Sequence, residues 1–214
     1  LASNDGYLLQ HFVGTGIPVL GIDPAANVAP AAEGRGVPTL VEFFGRMKAA
    51  RLVAEGRSAS LIVGNNVLAQ IPDLNDFVAG VAILLAPDGT ATFEFPHLLR
   101  LLDGVQYDTI YHEHFSYLSF VVVEKIFAHH GITLFDVEQL PTHGGSLRIY
   151  GRHAENGTLP VGERVGLLRR QETAAGMLTL DHYRGFGEQV KQVKRNLLRF
   201  LIDARERGKK VVGY

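Results

Sequence analysis

The sequence predicts an α/β protein with a mostly parallel sheet and crossover helices, because two features of the chain agree. Apolar runs typical of buried strands alternate with segments in which apolar residues recur at helical spacing. Polar residues also follow three of the predicted strands directly, at positions 3–6, 23 and 65–66. Since the carboxyl ends of parallel strands meet at one edge of a sheet, the second feature predicts a ligand site at that edge.

Composition narrows the class of protein. The chain has 214 residues, enough for one domain and part of another, with 46% hydrophobic and 20% charged residues, as in globular proteins with a sizeable core. A net charge of -1 disfavours binding to nucleic acid or to acidic membranes. The chain has no cysteine, which rules out disulfides and cysteine-ligated zinc within it and permits a cytoplasmic location, the one we expect. We find no secretory signal and no apolar run long enough to span a bilayer.

The first third of the chain contains four predicted elements. Residues 7–16 have helical apolar spacing and end on glycine, which predicts a short helix. Residues 17–23 are mostly apolar and end on an aspartate, which predicts a buried strand. Residues 24–36 begin with a proline, whose missing N–H costs nothing in a first turn, and predict a second helix. We expect another helix over 45–57.

The centre of the chain contains the clearest strand. Residues 59–68 form a β-branched apolar run that predicts a buried strand. Residues 72–89 have a Pro-Asp start and a Pro-Asp-Gly stop around an apolar run, which predicts a helix. Residues 90–98 predict the next strand, which leads into a loop containing "YHEHFSY" at 111–117.

Beyond that loop we expect a helix at 119–131 and strands at 132–140 and 144–152, with helical structure from about residue 160. Residues 208–214 have the pattern of a strand just beginning. Both ends of the sequence look cut, so we expect an excerpt of a longer protein. The predicted domains are 1–150, with its first strand truncated, and 151–214, a helical connector with the start of a second domain.

The three strand ends favour a nucleoside that carries no phosphate. An aspartate at the end of a strand suits a ribose diol, but the segment after the first strand has one glycine where a dinucleotide fold needs several. S-Adenosylmethionine has this shape, with an amino acid group for Asn4 or Asp5 to bind. The competing interpretation is that such residues only cap helices. The candidate cofactor-binding residues are Ser3, Asn4, Asp5, Gly6, Asp23, Asn65 and Asn66.

The histidine cluster in "YHEHFSY" has three interpretations: a metal site, a general base with supporting groups, or a polar loop. In an extended segment His112 and His114 face one side and Glu113 the other. A metal site needs a further ligand, such as His97 or His143, and the spacing lacks a zinc pattern. Histidine titrates near neutral pH, which favours acid–base chemistry.

Several motifs in order resemble the S-adenosylmethionine-dependent C-methyltransferases of deoxysugar biosynthesis: "SNDGYLLQHF", "GIDPAANVA", "NNVLAQIPDL", "FEFPHL", "QYDTIYHEHFSY" and "THGGSLR". The resemblance spans roughly residues 1–150 and implies a Rossmann-like class I methyltransferase sheet, with "GKKVVGY" opening a second Rossmann-like domain. The cysteine-rich zinc region of the family is not in this chain, so we expect zinc only in a preceding region. Gln70 stands where the family often has a histidine, which removes an acid–base group there.

By resemblance, the protein methylates C-3 of a nucleotide-linked 4-keto-6-deoxysugar, with thymidine diphosphate as the expected nucleotide. The resemblance assigns the base that forms the enolate to His114, supported by Tyr111 and Glu113. The candidate substrate-binding residues are His97, Tyr107, His112, His143 and Arg148. An O-methyltransferase and an inactive nucleotide-sugar binding module remain alternatives, an NAD-dependent oxidoreductase lacks its glycine fingerprint, and the sequence does not indicate an oligomeric state.

Overall fold

A computed structural model describes residues 1–213 and contains an α/β fold. Its strands are β1 (Gly21–Ile22), β2 (Thr39–Leu40), β3 (Ala59–Asn65), β4 (Leu85–Pro96), β5 (Ile132–Leu140) and β6 (Ser146–His153). Its helices are α1 (Gln10–Val13), α2 (Ala29–Gly34), α3 (Arg46–Ala54), α4 (Leu74–Leu84), α5 (Leu98–Asp103), α6 (Phe120–His129), α7 (Glu163–Ala174), α8 (Leu180–Arg184) and α9 (Phe186–Glu206). Short 3₁₀ turns lie at Leu68–Gln70, Tyr107–Thr109 and Thr142–Gly144.

The strands form a four-stranded sheet in the order β3-β4-β6-β5 and a two-stranded sheet of β1 and β2. β1 pairs with β2 and β3 with β4 in parallel, whereas β6 is antiparallel to both β4 and β5. In the larger sheet only β6 therefore runs against the other strands. The predicted α/β class with a mostly parallel sheet is confirmed, and β3 and β4 end at the same edge.

The first residues of the chain lie between the two sheets. The Leu1 amino group donates a hydrogen bond to the Val63 carbonyl oxygen of β3 at 2.7 Å. On the other side, the Ser3 N–H donates to the Ile22 carbonyl oxygen of β1 at 3.4 Å. A cavity of about 670 Å³ lies beside these residues and is lined mainly by apolar side chains.

The core is centred on β4. Phe93 is fully buried there and makes edge-to-face contacts with Phe77 of α4, at 5.9 Å between ring centroids, and with Phe127 of α6, at 5.6 Å. Such aromatic pairs stabilise packing beyond the area they bury. They fix α4 and α6 on one face of the sheet, and so fix the ends of the loops that lead into them.

Several element boundaries differ from the prediction. The strand expected over 17–23 contains only Gly21–Ile22, and the helix expected from residue 24 begins at Ala29. The helix expected over 72–89 ends at Leu84, because the chain is already paired with β3 from Leu85 and runs through Pro-Asp-Gly as part of β4. α5 lies in what was predicted to be loop.

Residues 209–213 have no strand structure, so the strand expected there is not formed by the described residues, and Tyr214 lies outside them. A strand is defined by hydrogen bonds to a neighbouring strand. These residues take part in no ladder of the described sheets.

Candidate active site

The loop that carries "YHEHFSY" is fixed to the turn that follows β3. The N–H groups of Phe115 and Ser116 both donate to the carbonyl oxygen of Ala69, at 2.8 and 3.2 Å. Ala69 lies in the 3₁₀ turn that ends at Gln70. The structure therefore brings together two segments that are more than 40 residues apart and that the sequence predicted to lie in one site.

His114 is held in one tautomer by the backbone. Its Nδ1 lies 3.0 Å from the carbonyl oxygen of Thr109. Because a carbonyl oxygen only accepts hydrogen bonds, Nδ1 must be the donor, and in the neutral imidazole Nε2 then keeps its lone pair. The half-buried ring stacks on Tyr111, with centroids 4.5 Å apart, and meets Tyr117 edge-on at 5.9 Å. A neutral imidazole with a free Nε2 lone pair is able to accept a proton.

The backbone of this loop is a turn rather than the extended segment considered above. The His114 N–H donates to the Tyr111 carbonyl oxygen at 3.1 Å, which closes the turn. His112 and Glu113 are exposed at its apex. The expected alternation of the histidines on one side and Glu113 on the other is therefore wrong, and stacking on Tyr111 replaces it as the organising contact.

Asp23 links the two predicted cofactor segments. Its carboxylate is 5% exposed and accepts hydrogen bonds from the N–H groups of Asn4 and Ala25, both at 2.9 Å. A carboxylate has about four acceptor sites, so two remain for a ligand. Gly6 completes the turn with φ +76°, where a Cβ would lie 3.2 Å from Ala32, so the site needs glycine.

The other predicted residues of this turn differ in their availability. Asp5 forms an ion pair with Arg35 at 2.5 Å, and the hydrogen bond from that guanidinium lowers the pKa of Asp5. Ser3 Oγ is buried and has no hydrogen-bond partner among the described residues. A buried polar atom of this kind is one that a polar ligand satisfies. Asp5 is therefore paired with Arg35 at the surface, whereas Ser3 and Asp23 have unused hydrogen-bonding capacity that would fit a bound nucleoside.

The asparagine pair at the end of β3 meets the "THGGSLR" turn. Asn65 is the last residue of β3 and lines the cavity beside Leu1. Asn66 Nδ2 lies 2.8 Å from His143 Nε2, and both residues have positive φ, +54° and +52°. Non-glycine residues in this region store strain that clusters at functional sites. The structure thus joins a predicted cofactor residue to a predicted substrate residue.

A buried carboxylate beside this pair was missed by sequence reasoning. Glu94 of β4 is 6% exposed; it accepts hydrogen bonds from Thr142 Oγ1 and from the Arg148 guanidinium, both at 2.7 Å. That contact raises the pKa of Arg148 further and compensates its charge. The available signal was a glutamate between two phenylalanines in an apolar strand, since a buried charge needs a partner.

His97 is not on an open loop, and the expectation that it lines an accessible sugar pocket is wrong. Its side chain is fully buried, and its Nε2 lies 2.7 Å from Glu172 Oε1 of α7. Tyr107, in the short 3₁₀ turn that follows α5, is half-buried. The side-chain amide of the neighbouring Gln106 donates to the Gly144 carbonyl oxygen at 2.9 Å. Of the two, only Tyr107 remains partly accessible.

Among residues 1–213, no group of three or more histidine, aspartate or glutamate side chains is placed to hold a metal ion. The zinc expectation concerned a segment outside this chain, and nothing in the described residues supports it. The described helices also include none that is both long enough and apolar enough to cross a bilayer.

The chain matches two protein-family models. Residues 1–137 match a methyltransferase domain, and residues 141–214 match a C-methyltransferase C-terminal domain. It is also 34% identical over 212 residues to the C-methyltransferase NovU of Streptomyces niveus. That similarity covers 99% of this chain and 50% of NovU, so the chain spans about half the length of this curated relative.

Solved structures show the same fold at low sequence identity. A putative S-adenosylmethionine-dependent methyltransferase from Listeria monocytogenes has a TM-score of 0.55 at 15% identity, covering 72% of this chain and 89% of that one. The magnesium protoporphyrin IX methyltransferase of Synechocystis PCC 6803, solved with bound SAH, has a TM-score of 0.54 at 14% identity, covering 70% of each chain. At these identities the similarity concerns the fold alone.

Proposed function

We propose that this protein methylates C-3 of a nucleotide-linked 4-keto-6-deoxysugar. The chain belongs to the S-adenosylmethionine-dependent C-methyltransferase family, and the proposal starts from that membership. The expected nucleotide is thymidine diphosphate. The observation that supports this most is the His114 tautomer, since methylating a carbon first requires a base to remove its proton.

The proposed chemistry begins at the C–H bond next to the sugar ketone. His114 Nε2 takes the C-3 proton, and the electron pair of that bond moves towards the ketone oxygen to form an enolate. The Nδ1 bond to Thr109 keeps Nε2 as the acceptor and stabilises the protonated ring that results. General-base catalysis of this kind contributes about 10²–10⁴-fold to the rate.

S-Adenosylmethionine, when bound, would supply the methyl group: a C–C bond to C-3 would form as the bond from the methyl to the positively charged sulfur breaks, and S-adenosylhomocysteine would leave. The residues that fit it are the ones with unused hydrogen-bonding capacity. Asp23 has acceptor sites for the ribose hydroxyls, and Ser3 Oγ is a buried group in need of a partner. Asn66 Oδ1 is likewise buried and without a partner in the described residues. Asn4 and Asp5 contribute mainly by shaping this turn.

The sugar nucleotide is proposed to bind between the "YHEHFSY" loop and the "THGGSLR" turn. Since His143 Nε2 accepts from Asn66 Nδ2, His143 Nδ1 is left to donate to a sugar or phosphate oxygen. Arg148 is only partly exposed and is already paired with Glu94. We therefore assign it to orienting this turn and not to direct contact with phosphate. Tyr107, Tyr111, His112 and Glu113 are proposed to line the sugar, with Tyr111 also orienting the base.

The test uses the full-length protein with methyl-¹³C-labelled S-adenosylmethionine and a thymidine-diphospho-4-keto-6-deoxysugar, followed by mass spectrometry and carbon NMR. A labelled methyl on carbon, absent with His114→Gln, is the expected result. A methyl on oxygen would overturn C-methylation and leave an O-methyltransferase, in which the same base removes a hydroxyl proton. Cofactor binding without transfer to any such sugar would favour a binding module instead.

A further inference from the structure

One buried carboxylate forms hydrogen bonds at both ends of the loop that carries the proposed base. This loop region, residues 98–119, lies between β4 and α6 and includes the short helix α5 at its start. Glu172 of α7 lies between these two ends, and its side chain is fully buried. It comes from the part of the chain that matches the C-terminal domain model rather than the methyltransferase domain model.

Glu172 accepts three hydrogen bonds. At the start of the loop, His97 Nε2 lies 2.7 Å from Oε1. At the end of the loop, the N–H groups of Phe120 and Val121 donate to Oε1 and Oε2 at 2.6 and 2.9 Å. These two N–H groups belong to the first turn of α6, where a negative charge is favourable. Three donors and a helix N-terminus together offset the cost of burying the carboxylate.

The backbone at His97 connects this anchor to the "THGGSLR" turn and to the loop that carries "YHEHFSY". Its own N–H donates to the Gly145 carbonyl oxygen in the "THGGSLR" turn at 2.9 Å. The next N–H, that of Leu98, donates to the Leu118 carbonyl oxygen at 3.0 Å, which closes the base of the loop. His97 Nδ1 has no partner among the described residues, so Glu172 is the group that orients the ring.

We propose that Glu172 is a positioning residue that holds the loop carrying Tyr111, Glu113 and His114 in its working geometry. It acts through His97 at one end and through the start of α6 at the other, and it touches neither the sugar nor the cofactor. The chemistry it serves rests on the proposed function, whereas its effect on the loop does not.

The test compares Glu172→Gln with wild type in the full-length protein. Glutamine keeps the volume and one oxygen, but its amide group faces an N–H donor where a carboxylate oxygen accepted. We expect amide hydrogen exchange in residues 107–117 to speed up by about tenfold or more, because the local opening becomes easier. We expect turnover per S-adenosylmethionine-binding site to fall by up to about 10²-fold, the effect of a displaced catalytic group.

A structural role alone predicts a different result. It would reduce the number of molecules that bind S-adenosylmethionine, with turnover per binding site unchanged. Binding stoichiometry and affinity, measured by calorimetry, therefore separate the two roles, and the proposal expects both to stay at the wild-type value.

The matched control is Glu124→Gln. Glu124 pairs with Arg169 at 2.6 Å and so joins the same two helices, α6 and α7, without touching either end of the loop. Equal exchange in residues 107–117 for Glu172→Gln and Glu124→Gln would overturn the proposal. If the wild-type protein methylates no 4-keto sugar, the exchange comparison still decides the role of Glu172, so the two failures are distinguishable.

The His97 arm has its own test. His97→Gln keeps an N–H donor that Glu172 can accept, whereas His97→Ala removes it. We expect protection of residues 107–117 to be lost with alanine and partly recovered with glutamine. Full protection with alanine would show that Glu172 does not act through His97.

Discussion

At the scale of single residues, the proposed chemistry depends on how the His114 ring is oriented. The Thr109 carbonyl oxygen sets its tautomer, and Tyr111 and Tyr117 restrict its ring. Neither tyrosine is needed to explain the fold, since Tyr111 is exposed and Tyr117 half-buried on the loop. Their contacts with the His114 ring support the proposal that they orient it.

His114→Gln is expected to slow exchange of the sugar C-3 proton. Glutamine is similar in size but has no titratable nitrogen, so the rate should fall by about 10²–10⁴-fold, or about 3–5 kcal/mol of barrier. The measurement is deuterium incorporation at C-3 of the 4-keto sugar in D₂O, followed by proton NMR. His129→Gln is the control, because His129 is exposed at the end of α6. Normal exchange in His114→Gln would assign the base elsewhere.

Arg35→Gln is expected to raise the pKa of Asp5. The Arg35 guanidinium holds that pKa below its usual value, so the ion pair is complete at neutral pH and is lost as pH falls through the lowered pKa. Carbon NMR titration of the Asp5 carboxyl group, in wild type and in Arg35→Gln, measures the change. Arg57→Gln is the control, since Arg57 neighbours Glu55 instead. An Asp5 pKa that is unaffected by Arg35→Gln would contradict the pairing.

Residue-level prediction from sequence proposes candidates only where the signal is local. Asp23 and the histidine loop could be proposed because their spacing and strand-end positions carry such a signal, and their roles stay predictions. Glu94 and Glu172 were not, because their partners lie 48 to 75 residues away and only the folded chain brings them together. His97 was misplaced for the same reason, since its buried partner is on α7.

At the scale of elements, side-chain hydrogen bonds cap the start of two of the described helices, α4 and α6. Asp73 is the N-cap of α4, and its carboxylate accepts a hydrogen bond from the Asp76 N–H at 2.9 Å. α4 follows the turn that holds Gln70 and carries Phe77 into the core. The cap therefore fixes where the chain leaves the site and enters the core.

Asp73→Ala is expected to lower the free energy of unfolding by about 1 kcal/mol, because the N–H groups at the start of α4 lose their acceptor. Asp73→Asn keeps an acceptor and should lose much less. Urea denaturation followed by circular dichroism measures both variants. An equal loss for alanine and asparagine would show that the cap hydrogen bond is not the cause.

The accuracy of the predicted strand boundaries depended on whether composition or pairing with a neighbouring strand sets them. β5 forms over residues 132–140 as expected, between a glycine and a proline that limit it on both sides. β1 is much shorter than its apolar run, because only Gly21 and Ile22 pair with β2. Composition shows what is apolar, whereas the neighbouring strand determines what is β.

At the scale of the whole molecule, the two sheets present edges to each other that are not paired. In residues 1–213, β1 pairs only with β2 and β3 only with β4. Residues 1–3 run between these edges and bond to both of them. The cavity of about 670 Å³ beside them is lined by Leu20 and Ile22 on one side and by Ile62 and Val63 on the other. The space is therefore lined by apolar side chains and lies between two strand edges that are unpaired in residues 1–213.

A chain that starts at Leu1 is expected to lose stability as pH falls from 8 to 6. Burial lowers the pKa of the Leu1 amino group to about 6, against about 8 when unfolded, so the folded state binds fewer protons between these values. Stability therefore rises with pH over this window, by about 2–3 kcal/mol in total. Urea denaturation at several pH values measures it, and acetylation of the terminus should remove the dependence.

Adding six β-branched apolar residues before Leu1 is expected to stabilise the fold, because an extended segment can form hydrogen bonds with the free edges of β1 and β3. Each apolar side chain that it buries contributes about 1.5–3 kcal/mol to the free energy of unfolding, before the entropy cost of ordering the segment. A six-residue Gly-Ser extension is the matched control. Both extensions move the charged amino group away from Leu1, so both should abolish the pH dependence. Only the apolar extension can fill the cavity. Equal unfolding free energies for the two extensions would mean that the space between the sheets does not accept a strand. A gain for the apolar extension alone would support pairing of the added segment between β1 and β3.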